Sequence, residues 1–381
     1  MTSLKNLFLL DPEIIFLNHG SFGACPVPVF EIYQAWQREL ERQPVAFLGR
    51  EAISLMANAR SKLAEFLGAA PNEIVYFTNP TTAINMVARN LNLKPGDEIL
   101  TSDHEYGAMD RTWNFTCRRT GASYVHRAIA LPVSGQAEFV ENLWAAVNER
   151  TRLIFLSHIT SPTALIFPLK EICQRARQAG ILTIIDGAHA PGQITLNLHE
   201  LGADVYTGAC HKWLMAPKGA AFLYARPEVQ AWLEPLVVSW GYESEIPGES
   251  QFIDYHEWQG TRDLSAFLSV PAAIEFQSQY AWENVRQHCH ELAHQTRQRI
   301  NALTGLPSIC TDEEGWFRQM VTVRLPENTD QEALKTRLLE DYHIEVPMIH
   351  WNEDKFMRIS FQGYNTQEDA DALVNALNEL L

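Results

Sequence analysis

Cysteine is scarce. There are six in 381 residues, at positions 25, 117, 173, 210, 289 and 310, and no two form a CxxC pair. Such scatter offers neither a disulfide framework nor a thiolate metal knuckle, and it suits a reduced, intracellular chain. Positive charge is also short: 30 Lys and Arg stand against 46 Asp and Glu, a formal net charge of −16. That balance argues against nucleic acid or an anionic membrane as the main partner, though not against an anionic small ligand in a local pocket. No apolar run approaches bilayer-spanning length. The opening "MTSLKNLFLLDPEIIFLNHG" carries one lysine and is interrupted by Asp11-Pro12, so neither a signal peptide nor a membrane span is expected. Internal repeats and low-complexity linkers are absent, and the expected location is the cytoplasm.

What is present is length enough for a large core and two lobes. Apolar residues at three- and four-residue spacing predict helices over 27–42, 51–67, 81–91, 137–149 and 169–179. Between them lie short apolar runs at 73–78, 98–102, 152–158, 181–186, 204–208 and 220–225. Runs of this kind suit strands buried on both faces, hence a mainly parallel sheet wrapped by helices, an α/β architecture. After about residue 265 the pattern changes. A long polar helix (281–302) precedes a strand (319–324), a helix (330–340), short strands (343–347, 356–360) and a last helix (366–380), which reads as a smaller α+β lobe.

Ligands of open parallel sheets bind beyond the carboxyl ends of the strands. Three clusters fall there. In "FTNPTTAIN" (77–85), Asn79 and Pro80 open a helix whose first turn holds Thr81 and Thr82. That is either an ordinary capped helix or a phosphate seat built from free N–H groups and two hydroxyls. In "IIDGAHAPG" (184–192), Asp186 ends an apolar strand beside His189. It either caps the next turn or meets a cation, because a buried carboxylate is costly alone. In "GACHKWLMAPKG" (208–219), three small residues precede His211, Lys212 and Trp213. The pair is either a surface feature or an amine nucleophile with a neighbouring phosphate donor. Taken together, a phosphate seat, a carboxylate for a ring cation and a lysine amine for an aldehyde are the three handles of pyridoxal 5′-phosphate.

These segments resemble the class V aminotransferase superfamily, within fold type I of the pyridoxal phosphate enzymes. "LNHGSFGACP" (17–26), "SDHEYGAM" (102–109), "WQGTRD" (258–263) and "MRISFQGYN" (357–365) are similar to its isopenicillin N epimerase-like branch. The resemblance implies a large cofactor domain (18–264) with a seven-stranded sheet, and a small domain from 1–17 and 265–381. It implies that Lys212 forms the Schiff base, Asp186 pairs with the pyridine nitrogen, His189 borders the ring hydroxyl and Tyr106 stacks on the ring. Thr81, Thr82 and His211 match phosphate contacts. Thr261 matches a phosphate contact given by a second subunit, hence a homodimer. Arg358 matches the clamp on the substrate carboxylate, and Asn18 and His19 border the substrate. One departure is Ala209, where many relatives have a phosphate-binding Ser or Thr.

The activity so implied acts on the α-carbon of an amino acid, by epimerisation or C–S lysis, with class V transamination as the alternative. A desulfurase with a cysteine nucleophile is not expected, because no cysteine lies in 311–358. Tyr106 or His19 would be the second acid of an epimerase. Trp213, Trp240 and Trp351 are candidate pocket aromatics. A distant alternative is a zinc hydrolase. "HELAH" (290–294) places His290 and His294 on one helix face around Glu291, with Glu313 or Glu314 as a third ligand. That helix is polar and short of core contacts beyond Val285, Leu292 and Ile300, so no metal is expected.

Overall fold

The computed structural model describes residues 4–312 and 315–381. Its centre is a seven-stranded sheet in the spatial order Ile74–Phe77, Ala221–Ala225, Val205–Ala209, Leu182–Asp186, Thr151–Ser157, Glu98–Ser102, Ser123–Arg127. All neighbouring pairs are parallel except those made by Ala221–Ala225, which runs against both its neighbours. The mainly parallel α/β sheet read from the apolar runs is therefore present.

Successive residues of a strand face opposite ways, and both faces of this sheet are dry. Tyr76, Leu100, Ile154, Ile185, Tyr206 and Phe222 join one core with the helices Ala52–Leu67 and Leu169–Gln178. Their alternates Val75, Ile99, Phe155, Ile184, Val205 and Leu223 join the other with the helices Pro80–Asn90 and Gly107–Thr120. Double burial is why these strands read as continuous apolar runs. Ser123–Arg127 escaped that reading because it is an edge strand, partly exposed along its whole length. Gly107–Thr120 escaped because its buried Met109, Trp113 and Cys117 stand among polar residues.

The C-terminal part holds an antiparallel sheet, Met348–Trp351, Asp354–Ser360 and Met320–Arg324, with the helices Trp282–Thr304, Gln331–Tyr342 and Gln367–Leu380. Near the other end of the chain, Ile15–Phe16 pairs in parallel with Ile344–Glu345. The helix Val270–Gln279 packs on the helices Val27–Arg42 and Ala52–Leu67. No helix among the described residues is long and apolar enough to cross a membrane.

Candidate active site

Asp186 is the last residue of its strand and is paired in register with Thr207. The chain must turn sharply there. Gly187 passes so close to Tyr206 that an added Cβ would meet the phenol oxygen at 2.1 Å. The turn buries the Asp186 carboxyl. Oδ1 accepts from the Ala188 N–H at 2.9 Å, and no hydrogen bond to Oδ2 is formed among the described residues. Burial pushes this carboxyl up, against the Ala188 hydrogen bond and the Lys212 charge, which pull it down. A fixed cation at Oδ2 would supply what the site withholds.

Lys212 lies just past the neighbouring strand, in the hairpin to Ala221–Ala225. Cys210 and His211 N–H groups both donate to the Ala220 carbonyl, at 3.0 and 3.2 Å. The Lys212 carbonyl accepts from Met215 N–H at 3.0 Å and from His19 Nε2 at 3.1 Å. Its Nζ lies 3.2 Å from His189 Nε2. Loss of hydration, then the Arg358 charge, lowers the amine to about 7, while Asp186 pulls the other way. Residues 186 and 212 therefore converge, and the lysine is poised to present a neutral amine near neutral pH.

Arg358 sits in the middle of Asp354–Ser360 and is buried. Nη1 donates to the Ser161 carbonyl at 2.7 Å and its hydroxyl at 3.0 Å, and Nη2 donates to Ser21 Oγ at 3.1 Å. Each of these partners is neutral, and the Nε–H is buried without a partner among the described residues. Burial lowers the guanidinium to about 10, with Tyr106 opposing. A buried guanidinium with a spare donor is a ready seat for a carboxylate.

The remaining expected residues divide. His189 is buried and neutral: burial, then the Lys212 and Arg358 charges, holds it well below its usual range. His211 donates Nδ1–H to the Ala220 carbonyl at 3.0 Å, and burial lowers it to about 4. It becomes a phosphate donor through Nε2 only if the anion raises it again. Asn79 caps Pro80–Asn90 as its sequence suggests, but its Oδ1 takes both the Thr82 N–H (2.8 Å) and hydroxyl (3.0 Å). Among the described residues the Thr81 hydroxyl makes no hydrogen bond at that end. Tyr106 is 48% exposed at the start of Gly107–Thr120, near Arg358. Thr261 is exposed in the loop after Gln251–Glu257.

Asn18 donates to Glu345 Oε1 at 3.1 Å and accepts from Ser21 Oγ at 2.5 Å. His19 is fully buried, with Nδ1 2.9 Å from the Tyr364 hydroxyl and Nε2 on the Lys212 carbonyl. Trp213 is buried and Trp351 donates its indole N–H to the Asp103 carbonyl at 2.8 Å, whereas Trp240 is 87% exposed.

Sequence reasoning passed over Ser21, Ser161, Gln362 and Tyr364, which hold Arg358 and His19, and also Glu105. The Glu105 carboxyl accepts from the Ser102 hydroxyl (2.6 Å) and from the Ser157 N–H (2.8 Å) and hydroxyl (2.6 Å), yet burial pushes it up to about 8. Ser21, Glu105, Gln362 and Tyr364 stood inside quoted motifs, but a helper residue has no spacing signature of its own.

The histidines of "HELAH" are engaged elsewhere. His290 Nδ1 lies 3.3 Å from the Arg318 carbonyl and His294 Nε2 3.0 Å from Asp312 Oδ2. Among the described residues no three His, Cys, Asp or Glu side chains could hold a metal ion. Glu313 and Glu314 lie outside the described residues.

A buried amine, a buried carboxyl and a guanidinium held by neutral oxygens thus come within electrostatic reach of one another beyond the carboxyl ends of Leu182–Asp186 and Val205–Ala209. Residues 29–373 match the model of the aminotransferase class-V family, and the chain belongs to that family. The isopenicillin N epimerase of Amycolatopsis lactamdurans is 39% identical over 97% of this chain and 96% of its own. That of Streptomyces clavuligerus is 38% identical over 99% and 97%. A probable chloroplastic L-cysteine desulfhydrase of Arabidopsis thaliana is 29% identical over 97% and 84%.

Among solved structures, an apo cysteine desulfurase from Thermococcus onnurineus NA1 superposes with a TM-score of 0.85 at 20% identity, covering 100% of this chain and 98% of its own. A lysine-to-alanine variant of C-DES with glycine covalently linked to its PLP cofactor gives 0.85 at 23%, covering 99% of each. These structures carry the fold. Family membership, with Lys212 and Asp186 converging as they do, makes pyridoxal 5′-phosphate the cofactor.

Proposed function

We propose that this enzyme removes the α-proton of an amino acid to Lys212 and delivers a different proton to the opposite face, an isopenicillin N epimerase-like reaction. The observation that carries the proposal is the pairing of a Lys212 amine lowered to about 7 with an Arg358 guanidinium whose Nε–H has no partner among the described residues. The amine is a base at the pH where it must work, and the guanidinium fixes an α-carboxylate beside it. Bound at Asp186, pyridoxal 5′-phosphate supplies the electron sink that acidifies the α-carbon. Asp186 keeps its carboxylate against the ring cation. Thr81, Thr82 and His211 hold the phosphate, and Thr261 adds to it from a partner subunit in a homodimer. The large domain is 18–264, and 1–17 with 265–381 forms the small one.

Return of the proton from the far face needs a second acid. His19 has both ring nitrogens committed to Tyr364 and to the Lys212 backbone, so the role falls to Tyr106. The 38–39% identity to two epimerases supports inversion over the C–S lysis and transamination open to the same site. Cysteine-nucleophile desulfurisation is disfavoured. The last cysteine, Cys310, is buried, and burial raises its thiol. The free cysteines agree with a cytoplasmic enzyme.

The test is to incubate the holoenzyme with a panel of amino acids in D2O. Deuterium at Cα with an inverted product is expected. Pyruvate would reassign it to lysis, and keto acid to transamination. Borohydride reduction that leaves no cofactor on Lys212 would sink the whole proposal.

A further inference from the structure

Trp213 follows the lysine and does nothing in the reading above. Its side chain is fully buried. The ring packs on His19 with centroids 5.0 Å apart, and the Trp213 carbonyl accepts from Gln277 Nε2 at 2.9 Å. Gly192 presses on the same carbonyl, where an added Cβ would stand 2.3 Å away. The indole is thus held in one orientation, and its Nε1–H donates to His189 Nδ1 at 3.3 Å.

An indole nitrogen only donates, so His189 Nδ1 must be the accepting, unprotonated nitrogen. The imidazole proton is left on Nε2, 3.2 Å from Lys212 Nζ. An ammonium there would set two donors against each other. A neutral amine accepts the Nε2–H. The chain of bonds has one direction, from indole to imidazole to amine.

We propose that Trp213 is a positioning residue which fixes the His189 proton on Nε2 and thereby holds Lys212 as a proton acceptor. The charged and titratable groups facing this pair are Arg358, Asp186, His19 and His211. His19 touches the Lys212 backbone rather than the amine, and none of the four donates to His189 Nδ1. Among the described residues, Trp213 is the one donor to His189 Nδ1 and so sets which ring nitrogen carries the proton. Without it the imidazole is free to protonate Nδ1, turn Nε2 into an acceptor and stabilise an ammonium on Lys212.

This inference rests on Lys212 being the catalytic amine, but its test does not. Nitrogen-15 NMR of the histidine-labelled full-length holoenzyme reads the His189 tautomer directly. A neutral ring with Nε2–H and bare Nδ1 is expected, and a proton on Nδ1 in the unaltered protein would overturn the assignment even with Lys212 carrying the cofactor. Trp213→Phe keeps the ring and removes the donor. It should mix the tautomers and move the acid limb of the kcat–pH profile upward. It should also lower kcat at neutral pH about tenfold, the worth of one buried hydrogen bond, with little change in KM. In a His189→Asn background the same substitution should leave the pH profile where His189→Asn put it. A further shift there would mean that Trp213 acts by another route.

Discussion

Arg358 carries its charge into the interior and, among the described residues, its guanidinium meets two serine hydroxyls and a carbonyl. A buried cation without a counter-charge is costly, so the protein holds this one at some expense, and the substrate carboxylate is the group that relieves it. Arg358→Ala should therefore weaken kcat/KM by roughly 10²–10³-fold, the range for truncating one partner of a buried charge pair. Arg358→Lys should recover only part, having lost the planar fork. Steady-state kinetics with an amino acid and its carboxamide check this, because the carboxamide should be nearly indifferent to the change.

Lys212 gives a second expectation with a definite sign. Its lowered value of about 7 means the amine is free above that pH and protonated below it. The rate at which apoenzyme takes up pyridoxal phosphate should fall about tenfold per unit as pH drops below 7, and level off above it. Stopped-flow absorbance would record it. A limb near the usual lysine range would show that the site does not lower the amine.

At the scale of elements, the sheet edge does the assembling. The end of Leu182–Asp186 and the turn after Val205–Ala209 bring Asp186 and Lys212 within electrostatic reach, and the tight passage at Gly187 fixes the turn from which the carboxyl leaves. Gly187→Ala forces a methyl group against the Tyr206 phenol, itself tied to His158 Nδ1 at 2.9 Å. The rigid pair cannot yield, so the turn must. Cofactor affinity should fall by at least tenfold while the far-UV spectrum stays close to that of the parent, as titration of apoprotein with pyridoxal phosphate would measure.

The same scale explains what could be read beforehand. Ile74–Phe77, Leu182–Asp186 and Val205–Ala209 announced themselves because burial on both faces fills them with apolar side chains and keeps charge out of their interiors. Asp186 and Lys212 stood out because a charge at the end of such a run needs a reason. Ser123–Arg127 was illegible, its sequence shaped by solvent as much as by the core. The partners of Arg358 and His19 were illegible for a different cause. Ser21, Ser161 and Tyr364 come from distant segments, and only the fold makes them neighbours. Trp240 looked like a pocket aromatic by composition, yet its ring is open to solvent in the single chain.

At the scale of the whole molecule, the exposed Thr261 and Trp240 acquire a use if two copies share their sites. Sedimentation should give a dimer. Inactive Lys212→Ala subunits mixed with Thr261→Ala subunits, weakened in cofactor binding, should form hybrids. In these, one site carries both substitutions and the other carries neither. About half of the sites in each hybrid would then regain full affinity for the cofactor, as equilibrium titration would show. Hybrids in which every intact Lys212 stays weak would place Thr261 in the site of its own chain.

The segment from Ile15 to Gly23 stitches early sequence to late. It pairs with Ile344–Glu345, lends His19 to both Tyr364 and the Lys212 carbonyl, and passes Ser21 to Arg358. During synthesis on a ribosome the lysine emerges long before Arg358 and Tyr364 do. The nascent sheet can form and His19 can reach the lysine backbone, but the carboxylate seat and the Tyr364 brace on His19 must wait for residues 358–364. A ribosome-stalled chain ending before residue 358 should therefore lack the seat for a substrate carboxylate while Asp186 and Lys212 are already in place.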